Sequence, residues 1–239
     1  MSSIFKSSKW MPSFLENIVQ QTMFDECKLE MIDANSPENE YEIIKPYLKE
    51  YKNMTYERLG SDPGTASIFN TCLKKKETEY YTWANTDDKI FPTCIEEHTK
   101  VMDRDQSIDL VYCRNATAFD YLTSFDTLKE FNLFPTAKFS VENMLMCNLP
   151  HNHPVWRESM HNDCDYFDEK TWPAVFDYEF WLRCVFNGKK FKLLDKVLGV
   201  YYRNPEGLST NEKDMNRNIR HVNEIKKMYM ELYKEQSLK

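Results

Sequence analysis

Glycine is scarce, five residues in 239, and none falls in Phe5-Lys6-Ser7-Ser8 after the first apolar run. The glycine-rich, lysine-containing phosphate loop that nucleotidyltransferases place after their first strand is therefore missing. No stretch approaches the roughly 20 apolar residues that span a bilayer. The opening Met1-Ser2-Ser3-Ile4-Phe5-Lys6 lacks a signal-peptide h-region. These two absences predict a cytoplasmic chain with no membrane span. Basic side chains are in deficit, 31 Lys and Arg against 38 Asp and Glu for a net charge of −7. That balance excludes a broad electrostatic grip on nucleic acid or on an anionic membrane. The seven cysteines, Cys27, Cys72, Cys94, Cys113, Cys147, Cys164 and Cys184, are odd in number and widely spaced, with no C-x-x-C pair. They read as buried reduced thiols rather than as a zinc knuckle or redox motif.

Hydrophobic residues make up 41 % and charged residues 29 % of the chain, enough for a folded core and too apolar for disorder. At this length the chain reads as one domain over 1–239. Short β-rich runs alternate with helical patterns. Ile4-Phe5 ends a strand, and Phe14, Leu15, Ile18 and Val19 share one helix face. Leu29 to Ile32 is a strand, Ser36-Pro37 starts a helix that Pro46 interrupts, and Met54 to Leu59 is a third strand. Asp62-Pro63-Gly64 marks a turn before a helix through Ile68, Phe69, Cys72 and Leu73. A strand over 79–84, a helix begun near Pro92 and a strand over 109–113 follow. This order predicts an α/β fold, a mainly parallel twisted sheet with right-handed crossovers and helices on both faces. Downstream come a helix from Val141, a helix opened by Asp177 and closed by Gly188, and strands over 191–194 and 197–202. An amphipathic C-terminal helix carries Ile219, Val222, Ile225, Met228 or Tyr229, and Leu232.

The carboxylates carry the chemistry. Asp33 closes the second strand and Asp87-Asp88 the fourth, so both open onto the carboxyl edge of the sheet, where such folds bind ligands. Hard oxygen ligands there suit Mg²⁺ or Mn²⁺ completed by substrate phosphates; the competing reading is a pair of loop acids in Asx-type turns. Asp177 reads both as a helix N-cap and as a base that takes the proton of an acceptor hydroxyl. His151, His153 and His161 match no zinc spacing and read as loop residues. Trp156 and Arg157 suit a sugar pocket or simple packing, and Trp181 falls in a core stripe.

Several spaced blocks carry a resemblance that spans nearly the whole chain. They are Ser3-Ile4-Phe5-Lys6, Ile32-Asp33-Ala34-Asn35-Ser36, Asp62-Pro63-Gly64 with Asn70, and Asn85-Thr86-Asp87. Three more are Pro154 through His161 with Tyr166-Phe167-Asp168-Glu169, Asp177-Tyr178-Glu179-Phe180-Trp181-Leu182-Arg183, and Tyr201 through Thr210. Together they resemble the family 2 glycosyltransferases of the GT-A, Rossmann-like fold. The resemblance implies an inverting enzyme that moves a sugar from a nucleotide-diphosphate sugar, UDP-sugars by default, to a saccharide or other hydroxyl acceptor, with Mn²⁺ or Mg²⁺. It implies nucleotide-sugar contacts at Ser3, Phe5, Asp33, Gly64, Asn85 and Arg157, a metal ligand at Asp87 and the catalytic base at Asp177. It divides the chain into a nucleotide-sugar half over 1–113, an acceptor half over 114–210 and a C-terminal helix over 211–239. The chain departs from the family's patterns at Ala34, at Asn85 and at Pro205, where some members carry a histidine. The first two departures motivate the alternative of a sugar-binding or scaffolding protein that kept the fold and lost turnover.

Overall fold

A computed structural model of the chain describes residues 1–120 and 132–237. Three parallel strands, β1 (Ser2–Ile4), β2 (Leu29–Asp33) and β3 (Met54–Arg58), are joined by helices α1 (Met11–Val19) and α2 (Glu40–Glu50). Their register pairs Ile4 with Asp33 and Asp33 with Arg58, so the carboxyl ends of all three strands finish side by side. Helix α3 (Thr65–Leu73) leads into β4 (Tyr80–Tyr81), and a turn precedes β5 (Lys89–Ile90). After α4 (Cys94–Arg104) comes the long strand β6 (Leu110–Ala118), then β7 (Asn132–Leu133), α5 (Val141–Met146), β8 (Val155–Arg157), α6 (Met160–Cys164) and α7 (Phe176–Phe186). Strand β9 (Phe191–Tyr202) and helix α8 (Glu212–Ser237) complete the described chain.

The later strands lie in the order β4-β8-β6-β9-β5, with β7 on β6. Strands β6 and β9 run parallel along their length, while β5, β7 and β8 pair antiparallel with their neighbours. Strand β4 therefore points the same way as β6, because the antiparallel β8 lies between them. The two sheets meet at Met1, whose amino group donates to the Thr82 carbonyl (3.0 Å) and whose carbonyl accepts the Ala84 N–H (3.0 Å). This α/β frame is the one the sequence pattern predicts, with antiparallel strands added to its later half.

Alternation along the strands builds a core on each face. From β2, Leu29 and Met31 pack with α1 and α2, while Ile32 joins α3 and α7 on the other side. From β6, Leu110 and Tyr112 enter the α7 side and Cys113 the α1 side. Trp156 and Trp181, both 0 % exposed, centre the α7 side in an edge-to-face pair 5.3 Å apart. Helix α8 docks through Ile225 and Tyr229, and the Tyr229 hydroxyl donates to Glu179 of α7 (2.9 Å). Ile219 and Leu232, expected on the same stripe, remain exposed.

Three local expectations shift. The helix expected at Ser36-Pro37 begins at Glu40, because Ser36 is engaged by its surroundings: its N–H donates to Asp33 and its hydroxyl to Glu40. The strand expected over 79–84 pairs as a ladder only at Tyr80–Tyr81. The break expected at 195–196 is a register irregularity against β6 rather than an interruption of β9.

Gly199 of β9 makes room for another element. A Cβ there would lie 2.2 Å from Asn115 Oδ1 and 2.3 Å from His153 Cδ2. Overpacking of this kind costs about 1–3 kcal/mol, so Gly199→Ala should lower the melting temperature by roughly 2–12 °C. Differential scanning calorimetry at fixed pH reads the shift directly.

Candidate active site

The loops that leave the carboxyl ends of β1, β2 and β3 interlock around Asp33. Asp33 is fully buried. One carboxylate oxygen accepts the Ser36 N–H (2.7 Å), and the other accepts the Tyr56 hydroxyl (2.6 Å) and Arg58 Nη1 (2.7 Å). Arg58 also donates to the Ser36 carbonyl (2.6 Å), which holds its guanidinium across the 33–36 turn. Lys6 and Ser7 N–H groups donate to Ser36 Oγ (3.0 Å) and Glu40 Oε1 (2.7 Å), tying the loop after β1 to the same turn. Phe5 is exposed at the mouth of this corner, and Ser3 lies half-buried within β1. Gly64 follows β3 with φ +88°, its N–H on Asp62 (2.8 Å), immediately before α3.

The turn over 85–88 opens onto the same edge. Asp87 accepts a hydrogen bond from Asn204 Nδ2 (2.8 Å), and burial pushes its carboxyl above the ordinary range. Asp88 is more enclosed. It accepts Asn85 Nδ2 (2.9 Å), Asn152 Nδ2 (2.6 Å) and the Tyr202 N–H (2.9 Å). Burial, reinforced by the neighbouring Asp87 charge, raises Asp88 to about 7. Asp88 thus locks the turn to β9 and to the 148–153 loop, whereas Asp87 is the carboxylate left at the surface of the cleft. Lys9, paired with Glu206 (3.2 Å), brings the loop after β1 alongside.

Asp177 is the second residue of α7. The N-cap position is Val175, so the capping role is not its own. Its carboxylate accepts Asn148 Nδ2 (2.7 Å), and burial raises it to about 6. Asn148 and Asn152 belong to one loop, so Asp177 and Asp88 are gripped by side chains four residues apart. Four residues span at most about 14 Å, and positive φ at His151 (40°) and His153 (63°) curls the loop. Asp177 and the Asp87–Asp88 turn therefore sit at two ends of one short brace. His151 is packed on Phe134 and Tyr201, and burial lowers it to about 4, a neutral ring at physiological pH.

Arg157 is not brought to this cleft. It lies on β8 at the amino end of β6, with Nε on the Ile108 carbonyl (3.0 Å), Nη2 on the Met102 carbonyl (2.8 Å) and Nη1 on Glu79 (2.6 Å). Those bonds use its donors to hold α4 against the sheet. His161 is likewise internal, accepting from Trp156 Nε1 (2.9 Å). In the other direction, Tyr56, Arg58, Asn148, Asn152 and Asn204 hold the four carboxylates Asp33, Asp177, Asp88 and Asp87 and had no local signature. Only the alternation of β3, which puts Tyr56 and Arg58 on one face, hinted at the first two.

Residues 3–161 match the model of Glycosyl transferase family 2, which is more than half of the chain. The chain belongs to that family. A curated relative, an uncharacterized glycosyltransferase of Methanocaldococcus jannaschii, is 25 % identical over 211 residues, 86 % of this chain and 69 % of the relative. Staphylococcus aureus TarS 1–349 in complex with UDP-GlcNAc superposes with a TM-score of 0.71 at 18 % identity, over 92 % of this chain and 64 % of TarS 1–349. The mannosyltransferase PcManGT of Pyrobaculum calidifontis, in complex with GDP-Man and Mn²⁺, superposes with a TM-score of 0.65 at 13 % identity, over 87 % of this chain and 57 % of that one. This family 2 glycosyltransferase thus spans less than two thirds of the length of those solved neighbours, and it shares their GT-A type of fold. Among its described residues no helix is long and apolar enough to cross a membrane.

Proposed function

We propose that this chain transfers a sugar, with inversion, from a nucleotide-diphosphate sugar to an acceptor hydroxyl, and that UDP-sugars are its first candidates. The observation that carries the reading is Asp177: a half-buried carboxylate raised to about 6, braced by the same loop that holds the Asp87 turn. A base of that strength is ionised at neutral pH yet more proton-hungry than an exposed acid. In this reading residues 1–113 hold the donor and residues 114–210 present the base to the acceptor. The base and ribose lie against the corner formed by Phe5, the 33–36 turn and Gly64, with Asp33 fixing Arg58 at its rim.

The donor set at the cleft fits a divalent cation. Asp87 is a partly buried carboxylate, and Mg²⁺ or Mn²⁺ needs only one or two protein carboxylates beside substrate phosphates and water. Asn204 holds Asp87 in place for that task. When bound, such an ion stabilises the charge that develops on the departing diphosphate. The chain's own part is positioning and proton transfer. The acceptor oxygen forms a bond to the anomeric carbon on the face opposite the diphosphate, the anomeric C–O bond breaks, and its electron pair leaves with the diphosphate. The hydroxyl proton passes to the Asp177 carboxylate. Lys9, beside Asp87, adds positive charge where the diphosphate would sit.

The bonding at Asp33 favours a second reading, a sugar-binding or scaffolding protein. Both its oxygens are taken by protein donors, and Ala34 offers no acid beside it. Isothermal titration calorimetry with a panel of UDP- and GDP-sugars, with and without Mn²⁺, followed by a donor-hydrolysis assay, separates the cases. Metal-dependent donor binding with slow hydrolysis is expected. Binding without hydrolysis or transfer to any hydroxyl acceptor favours a sugar-binding protein, and no donor binding in any condition overturns the transferase and favours the scaffold.

A further inference from the structure

A second set of ligand-type side chains lies inside the molecule, away from the carboxylates. Cys94 and His98 are one turn apart on α4, which puts both on its inner face. Cys113 comes from the facing strand β6. All three are buried, and one ligand atom from each lies within 4.8 Å of the others. Around a tetrahedral zinc ion, thiolate and imidazole ligand atoms sit about 3.5–3.8 Å apart, so the cluster needs to close by about 1 Å at most.

The histidines bring open donor atoms to this cluster. His98 Nδ1 lies 2.7 Å from the Cys94 carbonyl oxygen, an atom that can only accept, so the proton is on Nδ1 and the lone pair on Nε2. That Nε2 is buried without a hydrogen-bond partner. A carbonyl that fixes the tautomer while the other nitrogen stays open is the usual outer-shell arrangement of a metal-bound histidine. His153 is 2 % exposed, and neither of its ring nitrogens has a partner. It lines the same cavity as Cys94 and stands just outside the set formed by Cys94, His98 and Cys113. Two features hold it there at a cost: a backbone φ of 63°, rare for a residue with a Cβ, and Gly199, which leaves space for its ring. Cys94 and His153 both line a cavity of about 390 Å³ that gives an ion a way in.

We propose that Cys94, His98 and Cys113 form a buried site for a zinc-class transition metal, distinct from the hard-oxygen site at Asp87, with His153, outside that set but on the wall of the same cavity, moving its ring in to complete the tetrahedron. Two sulfur and two imidazole donors are the soft, tetrahedral set that selects zinc over magnesium or manganese. No linear motif reveals it, because the donors come from a helix, a strand and a loop. Cys94 and Cys113 are the two buried reduced thiols that would serve as ligands. The site's work is structural. His153 follows Asn152, which holds Asp88, and lies five residues after Asn148, which holds Asp177. An ion bound to His153 would pin the brace between the two carboxylate centres. Metal binding at these residues is independent of the glycosyltransferase chemistry.

The test uses the full chain expressed with added zinc and purified without chelator. Elemental analysis should find about one zinc per chain, and exchange into Co²⁺ should give an intense thiolate-to-cobalt charge-transfer band. Cys113→Ser and His98→Gln should each weaken zinc retention against a competing chelator by about tenfold or more. His153→Gln should change the cobalt spectrum, and an unchanged spectrum overturns the four-ligand set. Cys164→Ser, which alters a buried thiol on α6 beside Cys184, should change neither readout. Circular dichroism confirms that each variant is folded, and the wild-type cobalt spectrum stands whatever the variants do. Protein that retains no zinc and gives no thiolate–cobalt band overturns the site. A mass two hydrogens light, with Cys94 and Cys113 joined as a disulfide, overturns it equally.

Discussion

Asp177→Asn should cut sugar transfer by about 10²–10⁴ while leaving nucleotide-sugar affinity within about twofold. The amide keeps the size of the carboxylate but cannot take the acceptor's proton, so the loss belongs in kcat with a true acceptor. Donor binding, read by calorimetry, is the control that a general disruption would not pass. The pH profile supplies a second and independent readout. Burial raises the Asp177 carboxyl to about 6, opposed by the Asn148 hydrogen bond. The base works only when ionised, so kcat/KM should be level above that value and fall about tenfold per pH unit below it, with the bend near 6 rather than near 4. Asn148→Ala removes a bond that favours the charged form, so its acid limb should move to higher pH. A merely structural Asn148 would lower the rate at every pH and leave the bend in place. Normal turnover by Asp177→Asn would overturn the base assignment outright.

How much of this was legible in sequence divides along a physical line. Periodicity and strand-end acids located β2, β3 and α3 closely, because each is specified by neighbours within a few residues. Asp33 at the end of β2 and Gly64 at the start of α3 followed from the same local logic. The partners that decide what each acid can do were not legible. Tyr56 and Arg58 reach Asp33 through the register of β2 against β3, and Asn204 reaches Asp87 across 117 residues. Arg157 shows the same limit from the other side. Its block resembles a family motif, but the three-residue strand β8 runs antiparallel and carries it to the amino edge of the sheet. Nothing within so short a run announces its direction. The cysteines were legible to the same extent: all seven are free and five are buried, as their scattered spacing predicts, whereas the approach of Cys113 to Cys94 and His98 depends on how β6 packs against α4.

Asp87→Asn should abolish tight Mn²⁺ binding and lower kcat/KM for transfer by about 10²–10³, the loss typical of removing one group that stabilises developing charge. Electron paramagnetic resonance of Mn²⁺ measures the first effect and a coupled assay the second. The neighbouring acid makes the experiment discriminating. Asp88 has three internal donors and a carboxyl raised to about 7, so its ionised form already has the partners it needs. Asp88→Asn should therefore leave Mn²⁺ bound and reduce stability, since an amide nitrogen would face donors from Asn85, Asn152 or Tyr202 where an acceptor stood. If the two variants exchanged phenotypes, with Asp88→Asn losing the ion and Asp87→Asn keeping it, the ligand would be the inner carboxylate and the turn would have to open for substrate. Neutralising Asp87 also removes the charge that helps hold Asp88 protonated, so the Asp87→Asn variant should titrate Asp88 at a lower pH. Carbon-13 NMR of the carboxyl groups detects that shift even if catalysis is lost, which separates a missing cation ligand from a collapsed turn.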